Sequence, residues 1–239
     1  MKSRQKIRMG IILVSFFIFP AIFYYMSPYL IVVASSDGIV NGSFIFFLSL
    51  FVLSLVLGRG FCGWLCPGAG CQEALSHARN KSVTKGNFIK WMLWISWVAA
   101  IIFVCIKAGG YREVQFFYRT THGFSIGNLQ GMINYLLVLM LIVLPALIFG
   151  RRSFCHHICW MAPFMILGRS LRNVARWPAL QLKTEPDLCT ECRKCSKNCP
   201  MSLPVHSMVK SDKMESLECI LCGSCADNCK QRAIRFSFR

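Results

Sequence analysis

The sequence predicts a mainly α-helical protein, with a transmembrane body of four helices in two duplicated helical hairpins and a small C-terminal α+β domain. Three observations lead to this fold class. Hydrophobic residues make up 55% of the 239 positions and charged residues only 15%, which is typical of a membrane protein. A short segment with two cysteines recurs after two of the apolar runs, and a run of four cysteines recurs near the C-terminus.

Four apolar runs predict the membrane spans, near residues 11–33, 39–57, 88–107 and 129–149. A helix needs about 20 predominantly apolar residues to cross a bilayer. The first and fourth runs meet this length, whereas the third needs its flanking residues. Pro20 and Pro145 are compatible with spanning helices, because packed neighbours can bind the freed backbone groups. The first run is too long for the apolar part of a signal peptide, so we expect a membrane anchor.

The distribution of basic residues predicts the orientation. Of the 27 Lys and Arg residues, four precede the first run, five lie in 59–90 and fifteen in 151–239. The two opposite loops hold Lys107, Arg112 and Arg119. By the positive-inside rule, both termini and the C-terminal domain are expected in the cytoplasm, with the protein in the inner (cytoplasmic) membrane. A nucleic-acid partner is not expected, since its binding would concentrate the net charge of +17 on one domain.

The C-terminal segment carries two C-x2-C-x2-C-x3-C runs, CTECRKCSKNCP and CILCGSCADNCK, thirty residues apart. This is the bacterial ferredoxin spacing for two [4Fe–4S] clusters, in which the fourth cysteine of each run binds the other cluster. The first cluster is expected at Cys189, Cys192, Cys195 and Cys229. The second is expected at Cys219, Cys222, Cys225 and Cys199. Zinc sites usually take two separated pairs, and disulfides need an oxidising compartment.

These features divide the chain into three predicted parts. Residues 1–168 form the transmembrane domain, 169–188 a basic linker and 189–239 the two-cluster ferredoxin domain. The linker is expected to hold the ferredoxin domain against the anionic leaflet. The apolar run 158–167 is too short to span, so we expect it in the membrane interface.

Two further cysteine pairs follow the second and fourth apolar runs, in FCGWLCP (61–67) and FCHHICW (154–160). Their shared pattern predicts an internal duplication with an offset of 93 residues. Cβ atoms four positions apart on a helix are about 5–6 Å from each other, too far for a disulfide, and Pro67 disfavours the helical conformation at the residue before it. If symmetry joins the pairs, four thiols form a further metal site or act as redox dithiols, unless they are inert buried thiols. These thiols are Cys62, Cys66, Cys155 and Cys159.

Other residues are open to more than one interpretation. His156 and His157 could bind a quinone headgroup or a metal, or simply be solvated. Cys71 and Cys105 have no partner at ligand spacing, so we expect them to serve packing. Three arginines are expected to be topology determinants and helix-end partners: Arg59, Arg151 and Arg152.

The four spans, the paired cysteine segments and the terminal cysteine runs together resemble the NapH-like membrane ferredoxins, the iron–sulfur subunits associated with periplasmic nitrate reductase systems. The copper reductases of cytochrome-oxidase assembly and the nitrous-oxide regulators share the C-x3-C-P element. Cys62 and Cys66 with Pro67 match the family's first pair, and Cys155 with Cys159 its second. The second pair has Trp160 in place of proline. The resemblance implies quinol oxidation at the membrane and electron relay through iron–sulfur centres to a partner reductase.

The leading functional hypothesis is a membrane-bound electron-transfer subunit between the quinone pool and a partner redox protein. The chain has no nucleotide-binding fingerprint, which favours a redox subunit over a stand-alone enzyme, and no catalytic residue is identifiable. One alternative is a copper-type metal-ion reductase, because thiolates favour Cu(I). Another is a membrane scaffold whose clusters are purely structural. The direction of electron flow is not readable, since cluster potentials depend on charge, burial and hydrogen bonds.

Overall fold

The computed structural model describes residues 3–76, 79–83, 86–120 and 122–238. Lys2, Lys85 and Arg239, counted above among the basic residues, lie outside these ranges. Helices dominate, with two small two-stranded sheets. The elements are α1 (Ser3–Ile22), α2 (Pro28–Ser36), β1 (Ile39–Asn41), α3 (Gly42–Leu57), α4 (Gly60–Trp64), α5 (Pro67–Leu75), α6 (Asn87–Lys107), β2 (Glu113–Gln115), α7 (Leu129–Phe149), α8 (Ser153–His157), α9 (Ala162–Ala175), β3 (Leu180–Thr184), α10 (Lys194–Lys197), α11 (Val205–Lys210), α12 (Ser224–Asn228) and β4 (Ile234–Phe238).

Three apolar segments of the described chain are long enough to cross a membrane: Ser3–Ser36, Asn87–Lys107 and Leu129–Phe149. They correspond to the first, third and fourth predicted spans. The second predicted span is a shorter apolar helix, α3, of 16 residues. Its predicted start at residue 39 is wrong, because 39–41 form β1, which pairs in parallel with β2. The protein is a membrane protein with three helices of spanning length and one shorter apolar helix.

The first spanning segment is interrupted in its middle. Helix α1 ends at Ile22, a 3-10 turn follows over Phe23–Met26, and α2 begins at Pro28, where Ser27 Oγ accepts a hydrogen bond from the third residue of the new helix. Pro20 and Pro145 lie inside helices, as predicted. The interruption leaves backbone carbonyls without helical partners, which is tolerated within a membrane only where other groups bind them.

Two tryptophan side chains bind carbonyls at this interruption. Trp160 Nε1 donates to the carbonyl of Met26, and Trp97 Nε1 donates to the carbonyl of Pro28, both at 3.0 Å. Trp160 thus has a role at the position where the first pair has proline. It connects the second cysteine turn to the interrupted helix.

The helices that follow the two cysteine turns make contacts across the two halves of the body. Helix α5 of the first half packs on α1 of its own half and also on α7 of the second, whereas α9 of the second half packs mainly on α3 of the first. A Cβ at Gly168 would lie 2.9 Å from the Phe51 carbonyl oxygen, so glycine permits the close crossing of α9 and α3. These contacts bring the two cysteine turns together. Most of the run 158–167 enters α9, which packs against α3.

The ferredoxin domain begins earlier than predicted. Strand β3 pairs antiparallel with the C-terminal strand β4, with Leu180 opposite Phe238 and Thr184 opposite Ile234. Residues 169–188 are thus not a linker, because they hold the end of α9, then β3 and a short 3-10 turn. Proline, glycine and basic residues around this segment masked the short strand, whose partner is more than fifty positions away.

The N-terminal helix also binds the ferredoxin domain. Arg4 forms an ion pair with Asp227, with Nη2 and Oδ1 2.8 Å apart, and its guanidinium lies over the ring of Phe236. Gln5 Nε2 donates to the carbonyl of Cys222 at 3.0 Å. The start of α1, the two cysteine turns and the ferredoxin domain therefore share one side of the helical body, and the β1–β2 pair lies on the other.

Candidate functional site

The two cysteine turns have the same backbone. Cys62 lies in α4 and Cys66 follows that helix in an extended conformation, at φ −68° and ψ 120°. The amides of Cys66 and of the residue before it both donate to the carbonyl of Phe61, at 3.0 and 2.9 Å. In the second turn, the amides of Cys159 and of the residue before it donate to Phe154 in the same way, both at 3.0 Å. The broken turn expected from Pro67 is confirmed, and it recurs without the proline.

The four thiols of these turns line one cavity. Cys62, Cys66, Cys155 and Cys159 are buried, each exposing between 4% and 6% of its surface, and all four border a cavity of about 250 Å³. Burial, together with the neighbouring thiols of Cys155 and Cys62, raises the pKa of the Cys159 thiol to about 12. The arrangement expected from symmetry, with both pairs at one point, is therefore present.

The remaining walls of this cavity are mostly apolar. They come from the end of α1, the 3-10 turn and the start of α2, including Phe19, Phe23 and Tyr29, and from Val138 and Leu141 of α7. Tyr29 and Leu141 are exposed on the apolar outer surface of the body. The cavity therefore extends from the lipid-facing surface to the thiols.

The other candidate residues lie away from this cavity. His156 Nδ1 is 3.0 Å from Asn87 Oδ1, and His157 Nδ1 is 2.8 Å from the carbonyl oxygen of Ser153. Neither histidine is among the cavity's lining residues, and neither are Cys71 and Cys105. This cavity thus brings together the four paired cysteines, whereas the two histidines, Cys71 and Cys105 lie outside its lining.

Gln72 is a site residue that sequence reasoning missed. Its side chain is 1% exposed and lines the cavity. Its Nε2 donates to Cys155 Sγ at 3.3 Å, and its Oε1 accepts from the Phe154 amide at 3.2 Å. A residue on α5 of the first half thereby holds the cysteine turn of the second half.

Two arginines at this edge bind a buried carboxylate. Arg8 Nη2 lies 2.6 Å from Glu73 Oε2, and Arg152 bonds the other oxygen of the same carboxylate. These guanidinium groups hold the pKa of Glu73 at about 2, against the opposing effect of burial. Both arginines also donate to backbone carbonyls of the first turn, Arg152 to Cys62 at 2.9 Å and Arg8 to Gly63 at 3.0 Å.

A second carboxylate, the partly buried Glu218, lies next to the first cysteine of a ferredoxin run. Arg59 Nη1 is 2.6 Å from Glu218 Oε2, and Lys90 Nζ bonds the other oxygen. Arg59 and Arg152 are each only 1% exposed. Both arginines stand at a helix end, as expected, since each directly precedes a short helix, α4 or α8. Their burial in the interior with carboxylate partners was not predicted. One signal was available: Glu73 is a rare acid in an apolar, basic segment, and ionisable residues in such places are commonly functional.

The first turn packs directly on the ferredoxin domain. A Cβ at Gly63 would overlap the carbonyl oxygen of Ile220, so the two backbones meet at a position that requires glycine. Next to it, Trp64 Nε1 donates to the carbonyl of Leu221 at 3.0 Å. Both ferredoxin residues lie between Cys219 and Cys222. The turn that carries Cys62 and Cys66 thus contacts the segment between Cys219 and Cys222.

We name the cysteines nearest the membrane body the proximal set. Cys199 lies within electrostatic range of the three leading cysteines of the second run, and Arg151 donates to its carbonyl at 3.3 Å. Burial raises the pKa of the Cys225 thiol. The set combines one cysteine of the first run with three of the second, which is the crossed arrangement. Its members are Cys199, Cys219, Cys222 and Cys225.

The other four ferredoxin cysteines form the distal set. All four line a second cavity, of about 110 Å³, away from the membrane body. Cys192 is exposed, whereas the proximal Cys222 and Cys225 are each 7% exposed. The distal set thus lies nearer the solvent. Its members are Cys189, Cys192, Cys195 and Cys229.

The donor chemistry of both sets fits [4Fe–4S] clusters, since each offers four thiols in the spacing that such clusters require. Among the described residues, no group of three or more His, Cys, Asp or Glu side chains meets the geometry for a metal ion. This holds for the ferredoxin cysteines as much as for the membrane thiols. If clusters are bound, the two sets supply their ligands and the clusters carry single electrons.

Comparison with known proteins agrees with this architecture. A family model described as a 4Fe–4S binding domain matches the chain twice, at residues 42–85 and 131–174, with one cysteine turn in each match. A model described as a 4Fe–4S dicluster domain matches residues 181–230. The double match confirms the predicted duplication. The dicluster match agrees with a ferredoxin domain that begins at β3.

Several curated proteins are similar to the chain over most of its length. An uncharacterized protein of Methanocaldococcus jannaschii is 28% identical, over 78% of this chain and 75% of its own length. The ferredoxin-type protein NapH of Haemophilus influenzae is 25% identical, over 77% of this chain and 64% of its own. The chain is a NapH-like 4Fe–4S membrane protein.

The NapH-like assignment has further support. YccM of Escherichia coli, a candidate electron transport protein, is 21% identical over 84% of this chain and 57% of its own length. No solved structure matches the chain significantly.

Proposed function

We propose that this NapH-like protein is an electron-transfer subunit that relays electrons between the quinone pool of the membrane and a partner redox protein. The observation that carries the proposal is the order of the sites, with the apolar cavity and its thiols, then the proximal cysteines, then the distal cysteines. Oxidation of one quinol releases two electrons and two protons. The electrons would leave one at a time through the ferredoxin domain, and the protons would pass to water.

The eight ferredoxin cysteines are proposed to hold two [4Fe–4S] clusters in the crossed arrangement. Their division into a buried set and a set nearer solvent supports an electron path through two clusters. The inner station is the cluster at the proximal set, and the outer station is the cluster at the distal set. The inner station adjoins the first membrane turn through Gly63 and Trp64. The outer station is near exposed residues such as Cys192, where a partner protein can approach.

The cavity beside the membrane thiols is the proposed quinone site. Ligand sites are usually concave and mostly apolar, with a few polar groups that orient the ligand. Here the apolar walls include Phe19 and Val138, and Gln72 is a buried polar group at the inner end. The exposed Tyr29 and Leu141 mark the entry from the lipid.

The orientation is also part of the proposal. The start of α1 and the ferredoxin domain share one side of the body, and 24 of the 27 basic residues belong to segments on that side. This distribution supports a cytoplasmic location for both termini and the clusters, in the inner (cytoplasmic) membrane.

A copper-type metal-ion reductase is the second candidate. The observation that favours it is the presence of thioethers beside the thiols: Met165 Sδ lies 3.9 Å from Cys62 Sγ, and Met26 and Met161 line the cavity. Soft sulfur ligands of this kind favour Cu(I). This candidate requires added copper for turnover, whereas the quinone relay does not.

Quinone-driven reoxidation of the clusters tests the proposal. The purified protein is reduced with dithionite without oxygen or copper and then mixed with decylubiquinone, and cluster absorbance is followed by stopped flow. The two-electron reduction of each quinone takes up two protons and oxidises two clusters. We expect Leu141→Trp, which fills the cavity edge, to slow reoxidation at least tenfold.

Leu136→Trp is the matched control, because Leu136 lies on the same helix, is exposed, and is not among the residues that line the cavity. Ferricyanide, a hydrophilic oxidant, should reoxidise all variants at the same rate through the outer station. Equal rates with decylubiquinone for both tryptophan variants and the wild type would rule out the cavity as the quinone site.

A further inference from the structure

A separate cavity of about 200 Å³ lies between the start of α1, helix α5 and the ferredoxin domain. Among the described residues it shares only Gln72 with the thiol cavity. Its charged lining consists of four cations and one carboxylate, which gives a formal charge of +3. A concave surface with this charge attracts anions. The charged lining residues are Arg8, Arg151, Arg152, Lys197 and Glu73.

The single carboxylate of this cavity does not balance the cations around it. The two oxygens of Glu73 bind Arg8 and Arg152, so one negative charge is shared by two guanidinium groups that are 4% and 1% exposed. Within the described part of the chain, neither Arg151 nor Lys197 forms an ion pair. Buried cations need anionic partners, so the charge of the lining favours a bound anion.

Two donor atoms of the lining arginines also lack partners. Arg151 Nε and Arg152 Nε are buried, and neither has a hydrogen-bond partner among the residues that the structure describes. Buried polar groups of folded proteins are nearly always hydrogen-bonded. These two atoms indicate that the missing anion has oxygen atoms that accept hydrogen bonds.

The cavity lies where the lipid-facing surface of α1 ends. Arg8 and Met9 line it, and the exposed apolar side chains of Leu13, Val14 and Phe17 follow on the same helix. At a rise of 1.5 Å per residue, Leu13 is about 7.5 Å further along the helix than Arg8. A phospholipid whose acyl chains lie along these apolar residues therefore places its phosphate at the level of the cavity.

We propose that this cavity binds an anionic phosphate group, which a membrane phospholipid supplies as its headgroup. A phosphate presents negative charge and several strong acceptor oxygens, and arginine binds it through two parallel hydrogen bonds. Basic pockets on the cytoplasmic side of membrane proteins take such headgroups. The site goes beyond the proposed relay, because it requires neither quinone nor copper.

The bound phosphate connects the ferredoxin domain to the membrane body. Lys197 in α10 and Ser224 in α12 line the cavity from the ferredoxin domain, and Arg8 lines it from α1. Arg151 and Arg152, which complete the wall, lie within electrostatic range of Cys199. The lipid site therefore adjoins the proximal set, and its occupancy stabilises the contact between the two parts of the protein.

Titration of the full-length protein with lipid tests the site. The protein is purified in dodecyl maltoside, freed of bound lipid and titrated with phosphatidylglycerol, zwitterionic phosphatidylcholine or inorganic phosphate, with binding followed by microscale thermophoresis. We expect phosphatidylglycerol to bind about tenfold more tightly than phosphatidylcholine. Arg151→Gln should weaken phosphatidylglycerol binding by about tenfold, a typical effect of losing a hydrogen bond to a charged group.

Lys197→Gln and Lys6→Gln form a matched pair of variants. Both remove an exposed lysine charge on the same side of the body, but only Lys197 lines the cavity. Because Lys197 is exposed and has no ion pair among the described residues, its variant should fold as the wild type does. Lys197→Gln should weaken phosphatidylglycerol binding by about fivefold, and Lys6→Gln by less than about twofold.

Inorganic phosphate distinguishes the two sources of the phosphate group. If inorganic phosphate binds in a manner that depends on Lys197 and phosphatidylglycerol does not, the phosphate site stands but the lipid is overturned as its source. If the wild type, Arg151→Gln and Lys197→Gln bind both probes equally, the site itself is overturned. These titrations contain no quinone, so neither result depends on the proposed relay.

Discussion

The two cysteine turns have the same backbone hydrogen bonds but different surroundings. In the first turn, the residues between the cysteines include Gly63 and Trp64, which contact the ferredoxin loop. In the second turn, the corresponding residues include two histidines, and Trp160 behind them binds the interrupted first helix. Duplication therefore accounts for the shared position of the thiols. After divergence, the first turn contacts the ferredoxin domain, whereas Trp160 behind the second turn helps to line the cavity.

The largest effect should come from the carboxylate that joins the first turn to the ferredoxin domain. Glu218→Gln leaves Arg59 and Lys90 buried without a charged partner, and we expect the free energy of unfolding to fall by about 3–5 kcal/mol. Thermal unfolding in detergent measures this effect. Glu191→Gln is the control, because its ion pair with Lys210 is exposed, and it should cost at most about 1 kcal/mol.

A second prediction concerns the close contact at Gly63. Gly63→Val places side-chain atoms where the Ile220 carbonyl lies, so the ferredoxin loop must move away from the thiols. We expect decylubiquinone to reoxidise the clusters about a hundredfold more slowly, equivalent to about 2.7 kcal/mol in activation free energy.

Gly60→Val is the matched control for this change, because a Cβ at Gly60 has only one neighbour, 3.9 Å away in Leu57, and the equivalent position of the second turn is Ser153. If both valine variants transfer electrons at the wild-type rate, the first turn is not the contact through which electrons pass.

The smallest predicted effect is at the second turn. Trp160→Phe leaves the Met26 carbonyl without its hydrogen bond, and an unsatisfied buried carbonyl costs about 1–3 kcal/mol. We expect a loss of stability toward the lower end of this range and slower reoxidation by quinone than by ferricyanide. Trp94→Phe serves as the comparison, since the indole nitrogen of Trp94 has no partner within the described residues. An equal loss of stability in both variants would argue against a stabilising hydrogen bond between Trp160 and the helix interruption.

The sequence predicted those parts of the site that depend on local spacing. The cysteine runs indicated which thiols belong together, the offset of 93 residues indicated a duplication, and Pro67 indicated the broken turn at Cys66. These features are readable because the ligand spacing and the conformational limits of proline act over a few residues.

Features that depend on distant contacts were not predictable. The contacts of α5 and α9 across the two halves, the pairing of β3 with β4 and the ion pair of Arg59 with Glu218 each join residues far apart in the sequence. The burial of arginine in an apolar, basic segment was not predicted, because the positive-inside rule already accounts for basic residues there. The interruption after Ile22 depends on tryptophans from two other segments, so the first helix alone did not reveal it.

The central claim is that the first cysteine turn contacts the ferredoxin loop, and photo-cross-linking tests it most directly. A benzophenone amino acid replaces Trp64 in the full-length membrane protein, and cross-linked peptides are identified by mass spectrometry. The structure predicts cross-links to the 219–222 loop, because Trp64 Nε1 lies 3.0 Å from the Leu221 carbonyl oxygen. The same probe at the neighbouring exposed Leu65 should give none to that loop. Cross-links from position 64 only to lipid or to the β1–β2 side of the body would contradict the proposed electron path.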